Sequence, residues 1–416
     1  MNISISRAII LTAFLCGSAV LAVLSFAQSL PALPSGWVVH PSAGNGLGGI
    51  ACVSAADCWA TGSPMQHWDG IAWSEVSSPS IGSVGAIACT ASSECWAVGS
   101  YATTPNSDPQ ALIEEWDGNS WFVAPNTPSA GVYSYLDGVA CASSSDCWAV
   151  GDYFSGTSTQ TLIEHWDGKA WTIVNSPNGS TLPAGKLYGT SPASYLLSVS
   201  CASTSQCWAV GYYFNAFNQF SPLVEQWDGN AWTTVPSPTV TPESVGGTLL
   251  NESDGLWSVT CPSPSECWAV GIASHEDPVL GLSAQPLIEH WAGGAWAVVP
   301  ASSSAMLFPG LSGYNYLMNV TCASTTECWA VGYTRTQSGS GFAQTLIEQW
   351  NGAAWIVVTS QNNPSANNYL IGVACSSPSQ CWAIGNYGGS QPGATGSQTL
   401  ILENPEAGTQ LTIGNP

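Results

Sequence analysis

The sequence predicts an all-β fold: a seven-bladed β-propeller of four-stranded antiparallel blades, with the ring closed by the N-terminal strand. Three observations carry that expectation. Two cysteines separated by five residues recur seven times, and Trp follows the second Cys each time. A second fixed spacing, W-x4-W, recurs six times, from Trp68/Trp73 to Trp350/Trp355. Between these marks, short runs of branched and aromatic residues alternate with turn formers, and no stretch beyond the N-terminal segment sustains a helical period. A repeat of roughly 40 to 60 residues holding four such strands is a propeller blade.

The unit is plainest in residues 136–174, which read LDGVACASSSDCWAVGDY, a variable stretch, then TLIEHWDGKAWTIV. L-x-x-V-x-C forms strand a, CWAVG strand b, T-L-I-E-x-W strand c and W-x-x-V strand d. Units start near 47, 84, 136, 196, 256, 317 and 370, so 28–416 reads as one propeller. The seventh unit keeps strands a to c (LIGVACSS, CWAIGNY, TLILEN) but lacks W-D-G-x-x-W. The missing piece stands at the other end of the chain, as GWVVHP at 36–41, whose Trp37 supplies the seventh d strand. A rival closure uses Gln410–Ile413, which carries no Trp. Joining the chain's two ends in one blade leaves no free sheet edge inside the ring.

The cysteine pairs are Cys52/Cys58, Cys89/Cys95, Cys141/Cys147, Cys201/Cys207, Cys261/Cys267, Cys322/Cys328 and Cys375/Cys381. Each pair flanks a five-residue a–b hairpin loop. Antiparallel partners lie about 4.5–5.5 Å apart at Cα, within disulfide range. Closing so small a loop contributes roughly 2 kcal/mol in the chain-entropy view. Seven such clamps are expected to stiffen one face of the ring. Structural zinc is the alternative, but it prefers two to four residues between paired ligands and four ligands in one place. These pairs are dispersed one per blade.

Residues 1–27 read as a signal peptide: Arg7, then an apolar run from Ala8 to Phe26, then Ser25-Phe26-Ala27 for cleavage. An uncleaved membrane anchor is the alternative, since the run is nearly long enough to span. Export and paired cysteines together place the protein outside the cell or at its surface. Only Arg7, Lys169, Lys186 and Arg335 are basic, against 26 acidic residues. Phosphate neutralisation is beyond such a chain, so no nucleic acid is expected as partner. Attraction to an anionic membrane fails for the same reason, and after cleavage no membrane association is expected. A monomer without cofactor is expected.

The c–d turns carry Asp69-Gly70, Asp117-Gly118, Asp167-Gly168 and Asp228-Gly229, with Ala292-Gly293 and Asn351-Gly352 in the next two units. Asp-Gly is a tight-turn signal. Because one unit has Ala and another Asn, these Asp residues read as turn formers and not as catalysts. Strand c carries Gln66, Glu114, Glu164, Glu225, Glu289 and Glu348. A carboxylate repeated in nearly every blade reads as a structural hydrogen-bond acceptor. The repeated Trp residues read as inter-blade core.

At W-D-G-x-x-W the chain resembles the Asp-box (BNR-repeat) propellers, whose motif S/T-x-D-x-G-x-x-W sits on the same kind of turn. Asp69, Asp117, Asp167 and Asp228 match its Asp; Trp73, Trp121, Trp171 and Trp232 match its Trp. Here one residue fewer separates Asp from Gly, and the Ser/Thr is replaced. Likeness to kelch-like and WD-type rings is looser, since their signatures are missing. Some Asp-box proteins are sialidases that hold a carboxylate with three Arg. Beyond the signal this chain has Arg335 alone, so the resemblance does not bring that activity with it.

The a–b loop and the c–d turn hold a constant length, whereas the b–c and d–a segments vary. In an up-and-down blade those variable connections emerge together, on one face. A rigid scaffold with variable loops on one side is the layout of a binding protein. Tyr135, Tyr195, Tyr316 and Tyr369 stand directly before the strand-a Leu, and Trp257 directly after one, so these should ring the channel mouth. Tyr153 and Tyr213, like Tyr101 and Tyr387, follow strand b. Rings for stacking with amides nearby suit a carbohydrate; the alternative is that these Tyr cap the inter-blade core. Three functions remain open. The first is a non-enzymatic extracellular module for a glycan or a protein, and no catalytic residue is assigned. The second is a glycoside hydrolase or lyase, which needs two carboxylates on the variable face. Asp137, Asp152, Glu252, Asp254, Glu276 and Asp277 are its candidates. The third is a purely structural surface protein. A calcium ion in Asn251-Glu252-Ser253-Asp254 is the one metal reading the acids allow.

Fifteen Cys less Cys16 of the signal leaves fourteen. The exported protein should therefore take up no alkylating label before reduction and fourteen after it, measured by intact mass.

Overall fold

Each repeat closes into one antiparallel sheet, because its four apolar runs are too short to bury themselves singly and are joined by tight turns. The computed structural model describes residues 36–404 except 41, 43, 45, 80–81, 105, 126, 180–192, 216–218, 239–252, 278–280, 303–312, 337–340, 391 and 393–396. The signal segment, Lys186, Glu252 and the Gln410–Ile413 alternative lie outside the described residues. In blade 3, strand a is Ser134–Ser143, b Asp146–Phe154, c Thr159–Trp166 and d Trp171–Val174, paired in that order. Blades 1, 2, 4, 5 and 6 repeat this over 47–76, 82–123, 194–234, 253–298 and 313–357. Blades 5 and 6 also share one parallel bridge, Ala284 to Tyr314. No helix occurs among the described residues.

Blade 7 is assembled from both ends of the chain. Asn368–Ser377, Gln380–Tyr387 and Gln398–Asn404 supply strands a to c, and Val38–His40 supplies strand d. Val38 pairs with Glu403 and His40 with Ile401. This is the closure expected from Trp37.

Strand a of each blade lies innermost and bonds to strand a of its neighbours. Ser198 Oγ accepts from Val259 N, Ser258 Oγ from Val320 N and Asn319 Oδ1 from Val373 N. Thr61 Oγ1 donates to Gly85 O between blades 1 and 2. Further out, strand-b Trp of one blade is clasped by both W-x4-W tryptophans of the next. Trp148 meets Trp227 at 4.7 Å and Trp232 edge-on at 5.3 Å. The arrangement recurs around the ring and crosses the junction between chain ends. Trp382 meets Trp68 at 4.8 Å and Trp73 at 5.3 Å, and Trp329 meets Trp37 at 5.2 Å. In blade 7, Asn404 takes the strand-c Trp position opposite Cys381, so Trp37 alone clasps Trp329. The aliphatic core follows the same division: Val150 and Ile163 of blade 3 cluster with Leu196, Val199 and Leu223 of blade 4.

The seven expected disulfides all form: Cys52–Cys58, Cys89–Cys95, Cys141–Cys147, Cys201–Cys207, Cys261–Cys267, Cys322–Cys328 and Cys375–Cys381. They lie at the a–b hairpins, on the face they were expected to stiffen, and they also reach into the core. The second cysteine of every pair, Cys58, Cys95, Cys147, Cys207, Cys267, Cys328 and Cys381, is fully buried. Each belongs to a hydrophobic cluster shared between blades. The reason is position in the sheet. The second Cys lies on strand b, which is flanked on both sides; Cys147, for example, stands between Cys141 of strand a and Trp166 of strand c. Its strand-a partner is only half-buried. Each bridge therefore joins the hairpin to the core. The Cα atoms are 3.9–4.1 Å apart, closer than the expected 4.5–5.5 Å. Directly opposed residues sit there beside a register shift, which pinches the hairpin.

Two features of strands a and b escaped the sequence. Every strand a carries a register shift just after its Leu, or after Val84 in blade 2, for example between Leu136 and Gly138. A bulge sets two residues against one and re-aims a side chain. The strand-b Gly opposite explains the invariant end of CWAVG. A Cβ on Gly151, Gly211, Gly271, Gly332 or Gly385 would stand 1.9–2.0 Å from a strand-a carbonyl oxygen.

Trp37 is fully buried and is the sole closure of the 6–7 interface by a strand-d ring. Trp37→Ala should lower the unfolding free energy by about 3–5 kcal/mol. Ile71→Ala, at a turn position 86 % exposed, should stay within about 0.5 kcal/mol of the parent in the same denaturant titration.

Candidate functional site

Antiparallel order places the a–b loops and c–d turns at one face and the b–c and d–a connections at the other. The first face is built for rigidity. Asp69 Oδ1 accepts from Ile71 N and Ala72 N, both at 2.9 Å, and Asp117, Asp167, Asp228 and Asn351 make the same pair of bonds. These backbone donors hold the four Asp carboxyls below their usual range. Gly70 follows with φ 90°, and a Cβ there would also strike Ala56 of the a–b loop. The strand-c Trp ties the same two loops together: Trp166 Nε1 donates to Ser144 O at 3.1 Å, and Trp68, Trp116 and Trp227 do likewise. His67, His165 and His290 each lie against the strand-b Trp of their own blade at 4.0–4.2 Å. Their Nε2 atoms turn to Asp57, Asp146 and Glu266 at 2.9, 3.0 and 3.6 Å. A function repeated identically in several blades is structural.

The strand-c glutamates are buried, and three of them accept a hydrogen bond from the segment after the preceding blade. Ser176 of the segment after blade 3 donates to Glu225 of blade 4 at 3.0 Å. Ser237 does so to Glu289 at 2.7 Å, and Ser302 N to Glu348 at 2.9 Å. Glu164 has no partner for either oxygen. Burial raises Glu114 and Glu289 to about 7 and Glu164 and Glu225 to about 8.

The loop face is uneven. Ser134 precedes Tyr135 and fixes the entry of strand a, its Oγ accepting from Ala111 N of blade 2. Tyr135 then faces Asp152, Tyr195 faces Tyr212 and Tyr316 faces Tyr333 across the a–b ladder. Two aromatic clusters result. In blades 4 and 5, Tyr212 stacks on Tyr195 at 4.9 Å and meets Trp257 edge-on at 5.6 Å, with Phe220 at 4.9 Å. In blades 6 and 7, Tyr333 stacks on Tyr316 at 4.6 Å and meets Tyr369 edge-on at 4.9 Å. The single described Arg, Arg335, pairs with Tyr314 in the ladder, and its charge acts on Tyr316, Tyr333 and Tyr369.

Three candidate tyrosines sit differently from the expected ring of contacts. Tyr369 is fully buried and donates its hydroxyl to Ser390 O at 3.0 Å, because Asn368 anchors its strand to Ala343, Asn363 and Ala366. It supports Tyr333 from beneath and meets no solvent. Tyr153 and Tyr213 pack on the inter-blade cores of blades 2–3 and 3–4, and Tyr153 donates to Gln160 Oε1 at 2.6 Å. Both fill the capping alternative. Tyr212 and Tyr333 were missed, although the register was within reach. Once the strand-a Leu is set opposite the strand-b Gly, the residue before one must face the residue after the other.

Of the candidate carboxylates, the structure brings Asp137 and Asp152 together in blade 3. Asp137 stands at the bulge of the innermost strand, exposed to the central channel but enclosed by protein, and burial raises it to about 6. Asp152 is 6 % exposed and is raised to about 7, first by burial and then by Asp137. Asp254 lies instead near Glu289. The side chains of Glu276 and Asp277 and the start of the proposed calcium loop lie outside the described residues. Among the described residues, no three His, Cys, Asp or Glu gather closely enough to hold a metal, and no helix is long and apolar enough to cross a membrane.

No family model matches the chain, and no curated protein does. Solved structures do. YCF48 bound to D1 peptide matches with TM-score 0.50 and 14 % identity over 90 % of this chain and 96 % of that one. YCF48 from Cyanidioschyzon merolae matches at 0.51 and 12 %, over 89 % and 99 %. A PL25 polysaccharide lyase, an ulvan lyase bound to -[GlcA(1-4)Rha3S]-, matches at 0.55 and 8 %, over 87 % and 95 %. At such identities the likeness is one of fold, and the fold is a β-propeller.

The buried glutamates set a pH dependence. Their folded values near 7–8 stand above the ordinary 4.5, so the folded chain holds protons that the unfolded chain releases. That contribution is complete below about pH 4.5 and is lost as pH rises through 7 to 8. The turn aspartates, lowered, act oppositely and only at still lower pH. The melting temperature should therefore be higher at pH 5 than at pH 8, and Glu164→Gln together with Glu225→Gln should flatten the decline in a thermal scan.

Proposed function

We propose that the protein is an exported, non-enzymatic binding propeller that takes a glycan on its loop face. The observation that carries this reading is the pair of aromatic clusters, Tyr195/Tyr212/Trp257 and Tyr316/Tyr333, on the one face whose connections vary. Half-buried rings with free edges offer flat apolar surface to sugar faces, and neighbouring hydroxyls and amides satisfy sugar hydroxyls. The rigid opposite face, with its hairpin loops and Asp turns, supplies the scaffold. Those turns support kinship with Asp-box propellers in architecture: the Asp side chain builds the turn from within. Seven disulfides among the described residues suit an oxidising compartment, in keeping with cleavage of residues 1–27 as a signal peptide.

A glycoside hydrolase or lyase is the second reading, and the Asp137–Asp152 pair is what favours it. A propeller of this shape serves a polysaccharide lyase and a peptide-binding protein alike, so the shape itself decides nothing between them. Chemistry at the site must decide.

A glycan array with the exported protein should yield retained oligosaccharides. Tyr195→Ala and Tyr316→Ala should each weaken the retained ligands about five-fold, since stacking contacts contribute on the order of 1 kcal/mol each. Unchanged retention in both variants would remove the proposed face. Time-dependent shortening of a retained oligosaccharide, abolished by Asp152→Asn, would establish the enzymatic reading.

A further inference from the structure

We propose that Asp137, Asp152 and the four tyrosines around them form a receptor for an organic cation, so that the glycan bound on this face carries protonated amines. The inference rests on the glycan reading and narrows its ligand class.

The first observation is a buried carboxyl without a partner. Asp152 is 6 % exposed, and no described donor reaches its carboxylate. A buried carboxyl in that state is costly unless something compensates it. Its nearest acidic neighbour, Asp137, makes matters worse, since two carboxylates in one site oppose each other's ionisation. Ser176 supplies a donor to Glu225; Asp152 has none among the described residues, and unlike Glu164, which also lacks one, it does not recur from blade to blade.

The second observation is the shortage of cations. Among the described residues, Lys169 sits on the c–d turn of blade 3, at the opposite face. Arg335 acts on the tyrosines of blades 6 and 7. Neither acts on Asp137 or Asp152. A counter-charge can come from the ligand.

The third observation is the lining. Tyr195 and Tyr212 are stacked at 4.9 Å, and Tyr133 meets Tyr135 edge-on at 5.8 Å. Asp152 stands opposite Tyr135 in the a–b ladder, and its charge acts on Tyr135, Tyr195 and Tyr212. Aromatic faces attract organic cations, and the effect grows where water is excluded. A calcium ion is a poor fit, because it takes six to eight oxygens largely from the protein and, among the described residues, no third His, Cys, Asp or Glu joins the two carboxyls.

Titration calorimetry at pH 6 separates the possibilities. The probes are a glucosamine hexamer, the N-acetylglucosamine hexamer, choline and its uncharged isostere 3,3-dimethylbutanol. Glucosamine hexamer should bind at least ten-fold tighter than its acetylated form, and choline measurably tighter than the isostere. Asp137→Asn and Asp152→Asn should each bring both ratios to about one. Asp137 faces the channel, so its variant keeps the test open if Asp152→Asn fails to fold. Equal binding of the two hexamers with no preference for choline would overturn the inference while leaving a glycan ligand intact. An Asp152-dependent choline preference with no hexamer bound, but with a lysine-rich peptide bound, would overturn the glycan half and redirect the site to a protein ligand.

Discussion

The ring depends on one repeated contact: the strand-b Trp of each blade held between blades by the tryptophans of the next. Trp148 against Trp227 and Trp232 is the pattern. An isolated four-stranded sheet with apolar faces on both sides is unstable in water, so each blade needs two neighbours. A tilted ring and an edge-on ring against the same indole bury a large area in fixed geometry, and such pairs contribute beyond their area. The geometry sets the angle between blades. Once that angle is repeated, the seventh blade must meet the first, and Trp382 packing on Trp68 and Trp73 is the result.

That constraint explains why the two faces differ. Everything that touches the Trp clasp is held in place: the strand-c Trp by a loop carbonyl, the His by Trp and acid, the hairpin by a disulfide whose strand-b sulfur is part of the core. These parts lie toward the a–b and c–d end. At the other end the connections leave the clasp behind, and their lengths and residues are free to diverge. Blade 1, with strand b ending at Gly62 and strand c starting at Met65, is low there. Blades 3, 4, 6 and 7 carry the strand-a tyrosines and blade 5 carries Trp257. A ring of like units thus acquires one differentiated surface without loss of closure.

Repetition is also what made the molecule legible. Cys-x5-Cys, CW, W-x4-W and Asp-Gly recur, and each recurring residue turned out to serve the scaffold. The blade count, the disulfides, the Asp turns and the closure by Trp37 followed from them. Spacing paired the cysteines but did not say that Cys147 and its counterparts would be buried, because burial comes from the neighbouring blade packed against strand b. What does not recur was read less well. Tyr135 and Tyr369 hold the same position in their repeats, yet Tyr369 is buried beneath Tyr333, because Ser390 and Asn368 fix it there. Position in a repeat says where a backbone runs, but exposure depends on the loop that covers it. The register shift after each strand-a Leu, or after Val84 in blade 2, was hidden for another reason. It changes register without changing the spacing of any marker residue. That hidden register is what turns Asp137 toward the channel and sets Tyr212 and Tyr333 in their clusters.

The economy of charge joins scaffold and site. With a formal net charge of −22 and four basic residues, the chain cannot neutralise buried acids by ion pairs with Lys or Arg. Burial therefore raises Glu114, Glu164, Glu225 and Glu289 toward their neutral forms, and Glu225 and Glu289 each accept from a Ser of the segment after the preceding blade. Asp152 is a different case. It is buried to a similar degree, it stands in one blade only, and it has a second acid and aromatic rings for company where Glu225 and Glu289 have a hydroxyl. Glu164 shows that the scaffold also tolerates a buried carboxyl without a donor; what sets Asp152 apart is that it does not repeat, that a second acid acts on it, and that it stands on the variable face.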